Sequence, residues 1–134
     1  MWNKFFQKGY KNDAAIDVIL QKDVTILPNQ TQIIDLGTSV PVKRGYMAMI
    51  VARTSAAKKG IIMGMSPIDP EYDGNIHGII HNVSSDMIQY KKGESFCQII
   101  YVKFSKLKIK NIQIRKTGKR NKGCFGSSNV RKEE

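Results

Sequence analysis

The sequence predicts an all-β fold, a jelly-roll-like barrel or sandwich, and three observations support this prediction. Short segments rich in β-branched residues recur about every ten positions, with turn residues between them. Only one segment carries the start and stop signals of a helix. No internal repeat or low-complexity linker interrupts the pattern, and 134 residues suffice for one domain with its own core.

The predicted strands follow one another along the chain, each next to a turn signal such as Pro28-Asn29 or Gly37. They cover residues 18–20, 24–27, 32–36, 46–51, 76–80 and 96–104. Asp73-Gly74, just before the fifth of them, predicts a hairpin. Alternation of apolar and polar residues over 107–114 predicts further strand structure. The phase of that alternation slips at Lys110-Asn111, which predicts a bulge or a bend.

The single predicted helix is one or two turns long and runs from Thr54 to Gly60. A hydroxyl N-cap leads into two alanines and two lysines, and a glycine closes the segment. A helix N-terminus offers N–H donors and the positive end of a dipole, to which Arg53, Thr54 and Ser55 add further donors. This segment is therefore a candidate phosphate-binding site, although ordinary capping is the simpler explanation.

Composition excludes several classes of protein. Hydrophobic residues make up 41% of the chain and charged residues 25%, as in ordinary globular proteins. No run approaches the roughly 20 apolar residues of a membrane helix, and the N-terminus does not resemble a signal peptide. Cys97 and Cys124 lie far apart with no CxxC pattern, which argues against a zinc site or a disulfide scaffold. A reducing cytoplasm is the expected location, and no membrane partner is expected.

The positive charge is concentrated near the C-terminus. The chain has 22 Lys and Arg against 11 Asp and Glu, a net charge of +11. Residues 101–134 contain 11 basic and 2 acidic side chains, so 11 − 2 = +9 of that charge lies there. Such a segment predicts an anionic partner: a nucleotide, a nucleic acid or an anionic surface. The expected organisation is a β-domain over residues 1–116 and a flexible, Gly- and Ser-containing arm over 117–134.

Five local patterns contain residues with useful chemistry, and each alone also has an ordinary structural explanation. They are Asp17 within the apolar run 14–18, Arg53-Thr54-Ser55, the carboxylate-rich stretch 67–76, Gln98 in an apolar strand, and the basic Gly- and Ser-rich loop 120–129. A carboxylate held by Pro-flanked backbone in the third pattern is a candidate general base. The loop could hold phosphates through backbone N–H groups, but it is not a P-loop because GxxxxGK[ST] is absent.

Taken in order, the five patterns resemble the motifs of the deoxyuridine triphosphatase (dUTPase) family. The resemblance runs from about Asp13 to Asn129, nearly the whole chain. The matching segments are Ala15–Val18, Ala52–Ala57, Pro67–Ile76, Lys92–Ile100 and Arg120–Asn129. This sequence departs from the family pattern at Ala52, Thr54, Ser66, Pro67, Asp73, Cys124 and Asn129. Asp73 stands where an arginine is usual and adds negative charge near the expected site.

The resemblance implies a β jelly roll that assembles as a homotrimer with active sites shared between subunits. It implies hydrolysis of dUTP to dUMP and pyrophosphate by in-line attack of water on the α-phosphorus. Asp69 would be the catalytic base that deprotonates this water. Mg²⁺ would be bound mainly by the phosphates and water, and Asp17 would hold one of those waters.

The resemblance also assigns substrate-binding residues. Tyr72 would lie against the deoxyribose and exclude a 2′-hydroxyl. The backbone of the hairpin around Asp73-Gly74-Asn75 would pair with the polar edge of uracil, and the uracil-binding residues would be Ile68, Gly74, Asn75 and Ile76. The phosphates would be held from a second subunit by Arg53, Thr54, Ser55 and Gln98. The arm of a third subunit would close over the substrate. Its binding residues would be Arg120, Phe125, Gly126, Ser127 and Ser128, with the Phe125 ring on uracil.

Two alternatives remain beside this reading. dCTP deaminase shares the fold, but it needs a glutamate where this chain has Ile79, a side chain that cannot move a proton. The other alternative is a non-catalytic or regulatory module that binds nucleotides or, through its basic tail, nucleic acid. The presence of both Asp69 and Gln98 argues against it, because binding alone does not require both. Nucleic acid is therefore not the expected partner.

Overall fold

A computed structural model describes residues 3–105 and 109–114 of the chain. Within these residues ten β-strands and one helix follow in the order β1 (Phe6–Gln7), β2 (Ala15–Val18), β3 (Val24–Ile26), β4 (Thr31–Asp35), β5 (Tyr46–Ala52), α1 (Thr54–Lys58), β6 (Ile61–Met63), β7 (Pro67–Ile68), β8 (His77–Asn82), β9 (Ile88–Tyr90) and β10 (Cys97–Lys103). None of the described helical residues forms a segment long and apolar enough to cross a membrane.

The strands form three antiparallel sheets around one core. The largest has the order β1-β2-β10-β5-β7, the second has the order β4-β8-β6, and β3 pairs with β9. Strands remote in sequence thus lie side by side, as in β2 and β10. The described sheets do not close into a barrel. The predicted all-β fold with a single short helix is confirmed.

Alternation along the strands separates the core from the outer faces of the sheets. In β5, Ala48 and Ile50 are buried, whereas Met47, Met49 and Val51 are partly exposed. Successive side chains of a strand point to opposite faces, so the buried set of each sheet points inward. The largest fully buried side chains come from several elements: Phe96, Ile26, Ile61, Ile76, Ile80 and Ile99. On the outer face of the largest sheet, polar Asp17 and Gln98 lie together at one end, beside apolar Val51.

The turn at Asp73-Gly74 does not join two directly paired neighbours. The adjacent strand β7 pairs with β5, and β8 pairs with β4 and β6. Because β6 and β8 are antiparallel, Asp73-Gly74 lies in the long connection of a β6–β8 pair that also contains β7. A local turn signal does not determine the pairing of its neighbours, which long-range packing decides.

The prediction of strand structure over 107–114 is not supported by the described part of that segment. Residues 109–114 contain a turn and no strand, and Asn111 has a φ of 60°. The predicted bend at Lys110-Asn111 is confirmed by this turn. Leu107 lies outside the described residues. The side chains of Ile109, Ile112 and Ile114 are largely exposed, so the alternation marks an apolar stripe without a partner strand among the described residues.

The helix begins in a different way from the one predicted. Its N-cap residue is Arg53, and the cap makes no side-chain hydrogen bond within this described segment. The carbonyl of Arg53 instead accepts the N–H groups of Ala56 and Ala57, at 3.0 and 2.9 Å. The predicted glycine stop is confirmed, since Gly60 has a φ of 105°, a conformation that suits glycine.

Candidate active site

The first group of predicted site residues meets at one end of the largest sheet. The β2–β10 register places Asp17 opposite Gln98. The C-terminal end of β5 lies beside Cys97, so Arg53 and the start of α1 follow at the same end. A cleft of about 680 Å³ opens there, and the predicted residues that line it are Asp17, Arg53, Thr54, Ser55 and Gln98.

Arg53 is held from two sides in the wall of this cleft. Its Nε lies 3.3 Å from Asp17 Oδ1, with side-chain exposures of 39% and 24%. Its Nη1 donates to the carbonyl of buried Ser95 at 3.1 Å. These two contacts orient the guanidinium plane, and because the group has five N–H donors, others stay available for a ligand. Such a partly exposed ion pair contributes mainly orientation, since solvent screens it.

Two cleft residues were missed by the sequence prediction. Asp13 and Lys58 both line the cleft. Lys58 lies four positions after Thr54 on α1, and residues at that spacing share one face of a helix. That spacing could have identified Lys58 as a second cation beside Arg53. The cleft thus presents two cations and several polar donors beside the carboxylates of Asp13 and Asp17. The cations and the donors are suited to phosphate groups.

The second group of predicted residues lies on β7 and in the connection to β8, residues 69–76. Ile68 and Ile76 are buried, and Asp69 follows Ile68 directly. Tyr72 Oη donates to the carbonyl of Asn75 at 2.9 Å. The Ile76 carbonyl accepts the Leu36 N–H at 3.0 Å. These bonds fold the connection onto itself and fix it against the end of β4.

Gly74 permits a close approach inside this connection. A Cβ built at Gly74 would lie 2.6 Å from Tyr72 Oη and 2.7 Å from its Cζ. The φ of Gly74 is not in the left-handed region, so glycine is required here because a Cβ atom would collide with the Tyr72 ring. The phenol ring of Tyr72 packs directly over the turn.

For the dUTP hydrolysis that the family resemblance implies, Gly74→Ala is expected to displace Tyr72 and to raise the KM for dUTP about tenfold, since overpacking forces side chains away from their positions. Selectivity for dUTP over UTP should fall with it, because Tyr72 is expected to exclude the 2′-hydroxyl. Steady-state kinetics with both nucleotides measures this effect. In a Tyr72→Ala background, Gly74→Ala should raise the KM little further. A full further rise of the KM in that background would contradict the steric explanation.

The two groups lie far apart within one chain. Ile68 pairs with Ala48 near the start of β5, and Arg53 follows the opposite end of that strand. Asp69 lies one residue beyond Ile68, in the direction away from Arg53. Continuing the β5–β7 register by one residue places Asp69 opposite Met47, six residues along β5 from Arg53, which corresponds to about 20 Å at the rise of a β-strand. A single chain therefore contains two separate candidate half-sites: the Arg53 cleft, called the phosphate cleft for its expected ligand, and the connection that carries Asp69.

The described residues offer no closed protein cage for a metal ion. No group of three His, Cys, Asp or Glu side chains is placed to hold one within that part of the chain. The cleft carboxylate Asp17 fits the more limited role expected of it, because Mg²⁺ commonly keeps several waters and uses few protein ligands. Cys97 is buried, and burial raises the pKa of its thiol to about 12, so it is not a nucleophile at neutral pH.

The expected residues of the arm, Arg120, Phe125, Gly126, Ser127 and Ser128, lie outside the described residues. The family model for dUTPase, however, matches residues 3–129 and so includes them. The chain belongs to the dUTPase family. This match confirms the resemblance found in the five motifs, and it confirms the expected class of enzyme, a dUTP diphosphatase.

Individual relatives agree with the family assignment. The chain is 33% identical over 122 residues to the Pol polyprotein of caprine arthritis encephalitis virus (strain Cork), covering 90% of this chain and 11% of that protein. It is 27% identical over 122 residues to the deoxyuridine 5′-triphosphate nucleotidohydrolase of Mus musculus, covering 90% of this chain and 75% of the mouse protein. The chain thus spans only a small part of the viral relative.

Solved structures show the same fold. Native EIAV dUTPase has a TM-score of 0.72 at 23% identity, with 84% of this chain and 94% of that chain covered. The G164S mutant of Staphylococcus bacteriophage 80alpha dUTPase, in complex with dUpNHpp, has a TM-score of 0.68 at 21% identity. That comparison covers 93% of this chain and 91% of the phage chain.

Proposed function

We propose that the chain hydrolyses dUTP to dUMP and pyrophosphate in a site formed by half-sites from two neighbouring copies. The separation of about 20 Å between Asp69 and Arg53 along β5 is the observation that supports this most strongly. Family membership identifies the reaction, and the separation indicates how the reacting groups must be brought together.

The distances of the reaction explain why two copies are needed. A general base lies about 3 Å from the water that it deprotonates, and that water attacks from about 3–3.5 Å. Asp69 must therefore lie within about 7 Å of the α-phosphorus. Arg53 must lie within hydrogen-bonding distance of the same triphosphate. One chain does not satisfy both conditions, whereas two chains packed with one half-site against the other do.

Exposed apolar side chains support such an assembly. On the outer face of the β4-β8-β6 sheet, Ile33 and Ile62 are 60% and 57% exposed. Ile79 pairs with Ile33 and is a diagonal neighbour of Ile62, whose own register partner is His81. Exposed apolar side chains grouped on one face are typical of protein–protein contacts. The homotrimer implied by the family resemblance would bury them and would provide three composite sites.

In this arrangement the cleft binds the triphosphate. The guanidinium of Arg53, already oriented by Asp17 and Ser95, donates to phosphate oxygens in the bidentate manner typical of arginine. The ammonium group of Lys58 adds a second positive charge. The hydroxyls of Thr54 and Ser55 and the amide of Gln98 supply neutral donors, so the developing negative charge meets donors already in place.

The neighbouring copy supplies the base and the groups that hold the nucleoside. Asp69 accepts the proton of the attacking water, and Tyr72 lies against the deoxyribose. Gly74 and Asn75 form the wall that contacts uracil, and the buried side chains of Ile68 and Ile76 support it from behind. Mg²⁺ would be bound chiefly by the substrate phosphates and by water, and Asp17 would accept a hydrogen bond from one of those waters. The ion would neutralise phosphate charge. The arm residues Arg120, Phe125, Gly126, Ser127 and Ser128 would cover the substrate from a third copy.

A direct test measures pyrophosphate release from dUTP, with Mg²⁺ present, by the purified full-length chain. We expect rapid formation of dUMP and pyrophosphate from dUTP, and no release of ammonia from dCTP. Ammonia from dCTP would support a deaminase instead. Tight binding of dUTP or of a nucleic acid without any turnover would support a non-catalytic binding protein.

A further inference from the structure

A second cavity adjoins the phosphate cleft, and two of its lining residues, Lys59 and Tyr90, lie outside the five motifs. Its volume is about 460 Å³. Asp17, Arg53 and Ser55 line both this cavity and the cleft. The ion pair between Arg53 Nε and Asp17 Oδ1, 3.3 Å apart, therefore borders both spaces. A ligand that is bound by Arg53 and extends beyond it would enter the second cavity.

The hydroxyl of Tyr90 is enclosed beside this cavity. Tyr90 is 5% exposed, and its Oη has no hydrogen-bond partner among the residues that the structure describes. The ring is held by the ring of Phe96, with 5.6 Å between the centroids. Burial raises the pKa of Tyr90, the Arg53 charge opposes this and Glu94 adds to it, so the phenol is protonated at neutral pH. A buried donor without a partner is costly, which marks this hydroxyl as one that a ligand can satisfy.

The other charged groups of the cavity determine which ligand fits. The exposed side chain of Lys59 places its Nζ 5.0 Å from the centroid of the Tyr90 ring. Both carboxylates already have donors within the protein: Glu94 Oε1 accepts a backbone N–H of its own turn at 2.9 Å, and Asp17 is paired with Arg53. The ammonium group, the phenol and the unused guanidinium N–H groups remain as donors. Donors of this kind, two of them on cations, suit an oxyanion such as a phosphate.

We propose that the second cavity is a subsite for a phosphate oxyanion, to which Tyr90 Oη donates a hydrogen bond and Lys59 supplies a positive charge. The anion is the terminal phosphate of a nucleotide held by Arg53, or pyrophosphate, which has the same chemistry. Only the nucleotide form rests on the proposed function. Because Tyr90 Oη is enclosed, the anion reaches it when the flexible Lys59 side chain leaves the ring and turns to the anion.

Two pairs of variants test the two donors. Tyr90→Phe removes the hydroxyl and keeps the ring in its packing. Tyr101→Phe is its matched control, because Tyr101 Oη donates to the Pro41 carbonyl at 2.7 Å, toward the end of β5 that is remote from Arg53. Lys59→Gln removes the ammonium charge. Lys43→Gln makes the same change of charge at an exposed position before β5 and is the control for it.

Calorimetry measures the dissociation constants of pyrophosphate, dUMP and a non-hydrolysable dUTP analogue, and thermal unfolding measures Tm. Tyr90→Phe should weaken pyrophosphate and the analogue roughly tenfold, the effect of one hydrogen bond to a charged group, with dUMP affinity unchanged and Tm not lowered. Lys59→Gln should weaken both ligands severalfold, and neither control variant should.

The pattern across the ligands identifies the source of the anion. Weaker binding of pyrophosphate alone assigns the subsite to a separate ion, and weaker binding of the analogue assigns it to the terminal phosphate. Unchanged affinity for both in Tyr90→Phe, an equal loss for dUMP, or no difference between the two lysine variants would overturn the inference. If pyrophosphate binding depends on Tyr90 but the wild-type chain does not hydrolyse dUTP, the subsite stands and the proposed function is wrong.

Discussion

Asp69→Asn should lower the turnover of dUTP by at least about 10²–10⁴-fold, the typical contribution of a general base. The amide is nearly the same size as the carboxyl group, so the fold and the nucleotide-binding surface should survive. It cannot accept a proton from water at neutral pH. Turnover is measured as pyrophosphate release, and calorimetry with a non-hydrolysable dUTP analogue should show nearly unchanged affinity.

Asp73→Asn is the internal control for this assignment. Asp73 lies four residues after Asp69 in the same connection and is exposed. Asp73→Asn should leave turnover unchanged or raise it, because the substitution takes one negative charge away from a site that is proposed to bind a triphosphate. Near-normal turnover in Asp69→Asn together with loss of activity in Asp73→Asn would mean that the wrong aspartate has been assigned as the base.

The long strands were predictable from the sequence because their signals are local. The β-branched runs that became β4, β5, β8 and β10 are long enough to show the period of a strand. β1 and β7 have two residues each, and β6 and β9 have three, so they are too short to show it. Pro67 in β7 also argues against a strand, yet it is tolerated because β7 is at the edge of its sheet.

The sequence selects candidate site residues, but it does not predict how they are arranged. Motif patterns select Asp17, Gln98 and Asp69 as candidates, and strand pairing decides which of them meet. Asp17 and Gln98 come together because β2 pairs with β10, a contact across 81 residues that no local pattern encodes. The same topology places Asp69 at the far end of β5.

Mixed assemblies of two inactive variants should regain activity, which would demonstrate that the two half-sites come from different copies. Arg53→Gln removes the oriented guanidinium from the phosphate cleft, and Asp69→Asn removes the base from the connection. Each variant alone should be nearly inactive, because each of its sites lacks one of the two groups. When both are co-expressed with different affinity tags, some composite sites combine a native cleft with a native connection.

The recovery follows from random assembly. With equal amounts of the two chains, each half-site is native with a probability of one half, so about one quarter of the composite sites are intact in a cyclic oligomer. Light scattering should give about three times the 15.1 kDa chain mass for the mixed species.

Co-expression of Arg53→Gln with Gln98→Ala is the matched control. Both substitutions lie in the same cleft, so every chain in that mixture has a defective cleft and no composite site contains an intact cleft. The activity of the mixture should therefore stay at the level of the single variants. If the Arg53→Gln and Asp69→Asn mixture recovers no more than this control, or if the wild-type chain is an active monomer, the two half-sites do not belong to different copies.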